Sequence, residues 1–410
     1  MLRNHPSLAL WCGGNEIRPP ADVLGPLRDS ILPALDGTRF FFEYSNDDSM
    51  SLHSGDGPYT IQSDTFFWRH RSFPFNSEVG SVGIGDYESL ERFIPKENLV
   101  PPKYNTATHK WIIDSVWQYH KYIGYDSVIE AYGHPTGIKD FAMKAQLVNY
   151  NQYRALIEGV TAHIWDWYTG VIIWKTQNPW TAMVGQMYDV YLDPNACLYG
   201  LAEGNKPLHV MYDPVHNTVM VANNSFKTTG KLTLTARVYN FKGTEKILAE
   251  MPVNVSASST NTCYHFTKIL DSLSKVSGTF LYLSLSDSAK NSLLDENLYW
   301  RPDAKGNYSG LEHMPVSKPK ISARYRGKGK IEVTLTNPAA APIAFFIRAA
   351  LVDTNTYDRI LPVFYNNNYI SVLPGRQGTV LMDYTPQKDV APIVDIQGWN
   401  MEEQLIEIQH

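Results

Sequence analysis

Two glutamates close short apolar runs in the first fifth of this 410-residue chain. Glu16 ends the stretch His5-Pro6-Ser7-Leu8-Ala9-Leu10-Trp11-Cys12-Gly13-Gly14-Asn15-Glu16, and Glu78 lies in Phe75-Asn76-Ser77-Glu78-Val79-Gly80. Leu8 to Trp11 is a continuous apolar run, which predicts a strand buried on both faces. A carboxylate at the C-terminal mouth of a buried parallel strand stands in a catalytic position. Two carboxyl groups flanking one bond are what glycosidic cleavage requires: one protonates the leaving oxygen, the other attacks the anomeric carbon or activates water. Burial and a neighbouring like charge push the two pKa values apart. A single strand-end glutamate is as readily a solvated loop residue. A second one, and Trp174 at the end of Gly170-Val171-Ile172-Ile173-Trp174, shift the balance, because a flat indole can floor a sugar pocket. On its own Trp174 reads as core packing.

Other chemistries fit less well. The histidines, among them His5, His53, His70, His109, His120, His134 and His163, show no metal-ligand spacing beside an acid. Gly80-x-x-Gly83-x-Gly85 follows Glu78, which would repel phosphate, and it matches no dinucleotide fingerprint. There is no Gly-x-Ser-x-Gly elbow. Cys12, Cys197 and Cys263 are odd in number and far apart, so they form neither a disulfide framework nor a zinc site. No cofactor and no metal are expected. A net charge of −5 with 19% charged residues gives no electrostatic case for nucleic acid. No segment reads as a signal peptide or a membrane span. Asn-x-Ser sequons at Asn223, Asn254 and Asn307 point weakly to a secretory or vacuolar route and leave the compartment undecided.

The elements that must position these residues alternate in type up to about residue 200, the pattern of βα units. A helix is predicted over Ala21–Leu35 and a strand over Arg39–Tyr44. A long polar loop follows over Ser45–Tyr59, of the kind that lines active sites. Phe66-Phe67-Trp68 and Phe73–Gly80 read as strands, and Asp86 as the cap of a short helix reaching Phe93. Amphipathic helical stretches are predicted over Thr106–Tyr122 and Ile138–Ile164. Beyond Asn205 the period becomes two, with strands such as Thr218–Val221, Leu232–Tyr239 and Thr279–Leu285. After a linker from Pro302 to His313 come Ile331–Leu335, Ile343–Ala349, Tyr369–Leu373 and Thr379–Met382. Regions 206–312 and 313–410 therefore read as two β-sandwiches behind a βα region of residues 1–205. The aromatic content of 12% is high, and most of it is expected in cores and interfaces.

The Glu16 and Glu78 segments resemble the acid/base and nucleophile strands of glycoside hydrolase family 2, a retaining family with a TIM-barrel catalytic domain. Trp165–Trp174, the following Lys175-Thr176-Gln177-Asn178-Pro179-Trp180 and Gln186–Asp189 are similar to that family's last barrel strand and loop. Leu361–Gly375 looks like its terminal immunoglobulin-like domain. Within the family the plant mannosylglycoprotein endo-β-mannosidases, which cut the Manβ1-4GlcNAc bond of N-glycan cores, resemble the chain most, and the exo-β-D-glucosaminidases follow. The resemblance implies a multidomain α/β plus all-β protein: the C-terminal part of a TIM (β/α)8 barrel, about strands 4–8, followed by two immunoglobulin-like β-sandwiches. It implies Glu16 as acid/base, Glu78 as nucleophile, Asn15 as donor to the sugar 2-hydroxyl and Trp174 as platform, with Asn178 and Trp180 as further substrate contacts. Retention implies carboxyl groups about 5–5.5 Å apart. The implied partner is an oligosaccharide or glycoprotein glycan. Because family members carry three barrel strands ahead of the acid/base strand, the resemblance further implies a truncated chain and an N-terminal companion polypeptide that completes the barrel. The competing reading is a non-catalytic fragment whose sandwiches bind glycans or partners.

Overall fold

The computed structural model describes residues 2–46, 54–105, 107, 110–112, 114–290 and 292–410. Part of the long polar loop, with His53, and the residues Thr106, Thr108, His109 and Ile113 of the stretch read as amphipathic lie outside the described residues.

Among the described residues the first half carries five parallel strands in two groups. Leu10–Cys12 pairs with Phe40–Phe42, and Ser54–Asp56, Phe75–Val79 and Gly170–Ile173 form a three-stranded sheet in that order. Parallel neighbours need long crossovers, and helices fill most of them. The first crossover is helical from Ala21 to Asp36 with a π-helical turn at Leu27–Ile31. That turn follows Pro26, whose missing N–H interrupts the regular hydrogen-bond ladder. The strand expected to be buried on both faces is not: Leu10 and Trp11 are half-buried and Cys12 is exposed. Among the described residues its one strand neighbour is Phe40–Phe42, in a sheet of two strands.

Three further expectations are corrected. Phe66-Phe67-Trp68 is a helical turn, Phe66–Arg69, not a strand. Three apolar residues do not define a period, and the turn buries Phe67 against Val79 and Leu156. The stretch 106–122 is not one helix. Lys103–Asn105 and Lys110–Ile112 pair antiparallel, and a short helix, Ser115–Tyr119, follows with Asp114 accepting the Trp117 N–H at 2.9 Å. Asp86 precedes the helix Tyr87–Leu90 but its side chain does not cap it. Its carboxylate instead meets Arg348 at 2.7 Å and accepts the Tyr369 hydroxyl at 2.8 Å.

The helix Ile138–Ala162 forms as expected, and is buried on nearly every face between Phe141 and Thr161. Such a helix is central rather than peripheral. Among the described residues no helix is long and apolar enough to cross a membrane.

The second half is antiparallel apart from one short parallel pairing at the C-terminus. A three-stranded sheet (Ser259–His265, Thr218–Asn223, Leu208–Asp213) faces a four-stranded one (Glu245–Val253, Leu232–Tyr239, Thr279–Asp287, Ser292–Arg301). Alternate residues such as Val219, Val221, Leu234, Ala236, Leu281 and Leu283 fill the space between them. A five-stranded sheet built around Lys330–Thr336 and a four-stranded one built around Ala344–Asp353 form the last unit. Its core includes Val333, Leu335, Leu351, Val380 and Val394. One apolar cluster runs through all three regions, from Ile84, Phe141 and Leu147 through Phe280 and Trp300 to Phe345 and Tyr369.

Candidate active site

Glu78 is the fourth residue of Phe75–Val79, beside the C-terminal end of a parallel strand. Its carbonyl accepts the Gly57 N–H at 2.7 Å, and its own N–H donates to Asn76 Oδ1 at 3.1 Å. Asn76, only 2% exposed, donates in turn to the Gly57 carbonyl at 2.9 Å. These bonds fix the strand where its pairing with Ser54–Asp56 slips by one residue. The half-buried Glu78 side chain is held as well: the Tyr59 hydroxyl donates to Oε1 at 2.9 Å.

Tyr59 also meets Trp174, edge to face, with ring centroids 5.1 Å apart. Trp174 directly follows the strand Gly170–Ile173, and its N–H donates to the Val79 carbonyl at 2.8 Å. A Cβ at Gly80 would lie 1.8 Å from the Trp174 carbonyl oxygen, so only glycine lets the two strand ends approach. The peptide bond Trp174–Lys175 is cis. The Lys175 ammonium sits 4.6 Å from the indole centroid, and partial burial lowers its pKa. Glu78, Tyr59 and Trp174 are thus one cluster of carboxylate, phenol and indole.

Glu16 stands beyond the C-terminal end of Leu10–Cys12 with a left-handed backbone, φ 57°. A non-glycine residue in this region is uncommon and is found where the surroundings dictate it. Here Gly13 N–H donates to the Phe42 carbonyl at 2.8 Å, Ser45 N–H donates to the Gly14 carbonyl at 3.0 Å, and Glu16 N–H donates to Ser45 Oγ at 2.9 Å. The loop is thereby stitched to the end of the neighbouring strand. Glu16 and Asn15 are both exposed.

The structure groups Glu78 with Trp174 on the three-stranded sheet and Glu16 with Asn15 on the two-stranded one. Asn178 and Trp180 lie in the loop that follows Trp174, where their described contacts are to other residues. Asn178 is fully buried, and its amide donates to the Val184 carbonyl at 3.0 Å and Gln186 Oε1 at 2.7 Å, bracing its own loop. Trp180 packs on Tyr119 and stacks on His120, at 5.8 and 6.2 Å. The sequence reading missed Tyr59 and Asn76. Tyr59 had one signal, its place at the end of the long loop read as lining a site.

A group with metal-ligand geometry exists elsewhere, formed by Glu203, His209 and Asp295. The protein's own cations fill it. Lys206 Nζ lies 2.6 Å from Glu203 and 2.8 Å from Asp295, and His209 bridges Asp295 and Glu158 at 3.0 Å each. Burial by itself would lower the His209 pKa, but its hydrogen bonds to Asp295 and Glu158 outweigh that and push it up to about 9.

Residues 297–401 match the model of the exo-β-D-glucosaminidase Ig-fold domain. The chain is 30% identical to a mannosylglycoprotein endo-β-mannosidase of Lilium longiflorum, over 98% of this chain and 53% of that protein. It is 26% identical to an exo-β-D-glucosaminidase of Amycolatopsis orientalis, over 97% of this chain and 42% of that protein. The chain spans about half the length of the curated relatives it matches. Among solved structures it superposes on the Amycolatopsis orientalis exo-chitosanase with a TM-score of 0.79 at 24% identity, covering 99% of this chain and 52% of that one. A β-D-mannosidase from Dictyoglomus thermophilum gives 0.69 at 15% identity, over 98% and 49%. The fold is therefore one shared with multidomain glycosidases, and it includes an immunoglobulin-like domain. Over nearly its whole length the chain is thus similar to glycosidases of the β-mannosidase and β-glucosaminidase kind.

Proposed function

We propose that this chain carries the two catalytic carboxylates of a retaining β-glycosidase acting on the Manβ1-4GlcNAc bond of N-glycan cores. The observation that carries the reading is Glu78: a carboxylate beside the C-terminal end of a parallel strand, aimed by the Tyr59 hydroxyl and flanked by Trp174. In this reading the five parallel strands of residues 1–205 are part of an eight-stranded barrel, completed by a companion segment, and 206–312 and 313–410 are the two sandwiches. A closed barrel would carry Glu16 and Glu78 at the same C-terminal mouth, about 5–5.5 Å apart.

The cycle then has two displacements. Glu16 protonates the leaving GlcNAc oxygen while Glu78 attacks the mannose anomeric carbon. Glu16, now ionised, takes a proton from the water that hydrolyses the glycosyl-enzyme. Tyr59 holds the attacking oxygen in line, Trp174 floors the sugar, and Asn15 donates to its 2-hydroxyl.

The likeness to the Lilium longiflorum endo-β-mannosidase supports mannose. The match to the glucosaminidase Ig-fold domain supports the alternative, an exo-β-D-glucosaminidase. The experiment is labelling with a 2-fluoro-β-mannoside in the presence of the companion segment, followed by peptide mapping. A covalent adduct on Glu78 is expected, and an adduct on any other residue overturns the assignment. Comparing rates on β-mannosyl-chitobiose and on chitosan oligomers decides between the two sugars.

A further inference from the structure

A cavity of about 330 Å³ lies between the first half of the chain and the first sandwich. That volume is in the range of small-ligand sites, roughly 300–1,000 Å³. Its walls come from the segment Ser63–Trp68, the helix Ile138–Ala162, the strand Ser292–Arg301 and the linker at Tyr308. Ser63 is exposed, so the cavity reaches the surface. None of Glu16, Glu78, Tyr59 or Trp174 lines it.

Three features give it a ligand chemistry. The wall is aromatic: Trp300, Tyr299, Tyr212 and Tyr308 contribute, and two of these rings are fixed by other contacts. Tyr308 stacks on Tyr132 at 4.5 Å, and the Trp300 indole N–H donates to the Tyr132 hydroxyl at 2.9 Å. Asp64 supplies acceptor capacity that the protein does not fill. Tyr308 donates to its Oδ2 at 3.2 Å, and among the described residues no donor reaches Oδ1. Burial raises the Asp64 carboxyl above its usual range, against the pull of the Arg154 charge and the Tyr308 hydrogen bond. Three hydrogen bonds hold the Arg154 guanidinium to Asn297, the Leu298 carbonyl and Asn151 at 2.7–3.1 Å, and none of these goes to Asp64. Finally, the charges cancel: the acids Asp64 and Glu158 are matched by Arg154 and Arg301, which favours an uncharged ligand over an amino sugar.

We propose that this cavity is a carbohydrate-binding site for one neutral pyranose ring, whose hydroxyls donate to Asp64 Oδ1 while its C–H face lies on the aromatic wall. A sugar offers both what an unfilled carboxylate needs and what a ring wall packs against. The site is separate from the proposed catalytic cluster and does not depend on it.

The test is titration of the 410-residue chain with methyl β-mannoside and with glucosamine, followed by calorimetry and saturation-transfer NMR. The neutral sugar binds at least tenfold more tightly than glucosamine. Asp64→Ala weakens it about tenfold, Asp64→Asn restores most of the affinity, and Ser63→Trp, at an exposed position, blocks entry. Glu78→Gln leaves binding unchanged. Unaltered affinity in both Asp64→Ala and Ser63→Trp overturns the proposal. So does loss of binding in Glu78→Gln, which would put the sugar in the catalytic cluster, or a cavity that takes up water only.

Discussion

At the scale of single residues, the sequence pointed to Glu78 and Trp174 but not to what aims them. Tyr59 donates to Glu78 through its hydroxyl and touches Trp174 through its ring, so it ties the carboxylate to the indole. A hydrogen bond to an ionised group contributes about 1.5–3 kcal/mol. In a catalytically complete assembly Tyr59→Phe is therefore expected to lower kcat by roughly tenfold to a hundredfold, with little change in melting temperature; steady-state kinetics check it. The sequons also separate at this scale. Asn223 is 2% exposed and its amide donates to three carbonyls, of Lys227, Val255 and Ser256. Asn254 is exposed. Expression through a secretory host should place glycan on Asn254 and none on Asn223, as read by peptide mass mapping.

Elements were legible where their period was long. Ile138–Ala162 announced itself over many turns, and strands such as Leu232–Tyr239 through alternation. Phe66–Arg69 and the strand Lys110–Ile112 were misread because they are short, and a run of three or four residues suits a strand or a helical turn equally. The contact that decides such cases is tertiary. The helix Ala196–Gly204 lies so close on Ile138–Ala162 that a Cβ at Gly200 would sit 2.1 Å from the Tyr150 carbonyl oxygen. Gly200→Ala should therefore cost about 3 kcal/mol by overpacking, even though alanine is the better helix former. Chemical denaturation measures it.

Over the whole molecule, the three regions are locked by buried ion pairs as well as by a shared apolar core. Arg348 of the last sandwich bonds Asp86 at 2.7 Å and Glu88 at 2.8 Å in the first half. Arg359 adds Asp193 at 3.3 Å and Glu88 at 3.1 Å. Arg348→Met leaves Asp86 and Glu88 with Arg359 as their remaining cation and should destabilise the chain by about 3 kcal/mol, visible as early melting of the C-terminal sandwich contact in hydrogen exchange. The His209 bridge to Glu158 and Asp295 joins the central helix to the first sandwich. Because folding raises the pKa of His209 from 6.5 to about 9, its contribution is fully present below pH 6.5. It fades as the pH rises through about 9, a loss of roughly 3 kcal/mol. Melting temperature recorded from neutral to alkaline pH should fall across that window, and His209→Gln should flatten the fall.

The sequence by itself determined the family resemblance, the two glutamates as candidates and the change from βα to alternating strands near residue 205. Each is carried by residue type and local period, which survive without coordinates. Only the tertiary structure decided that the Leu10–Cys12 strand is half-open, that Tyr59 and Asn76 hold Glu78, that Asn178 braces its own loop, and that Asp64 faces an aromatic cavity. These are contacts between residues distant in the chain, and nothing in local spacing encodes which distant partner will satisfy a given donor or fill a given gap.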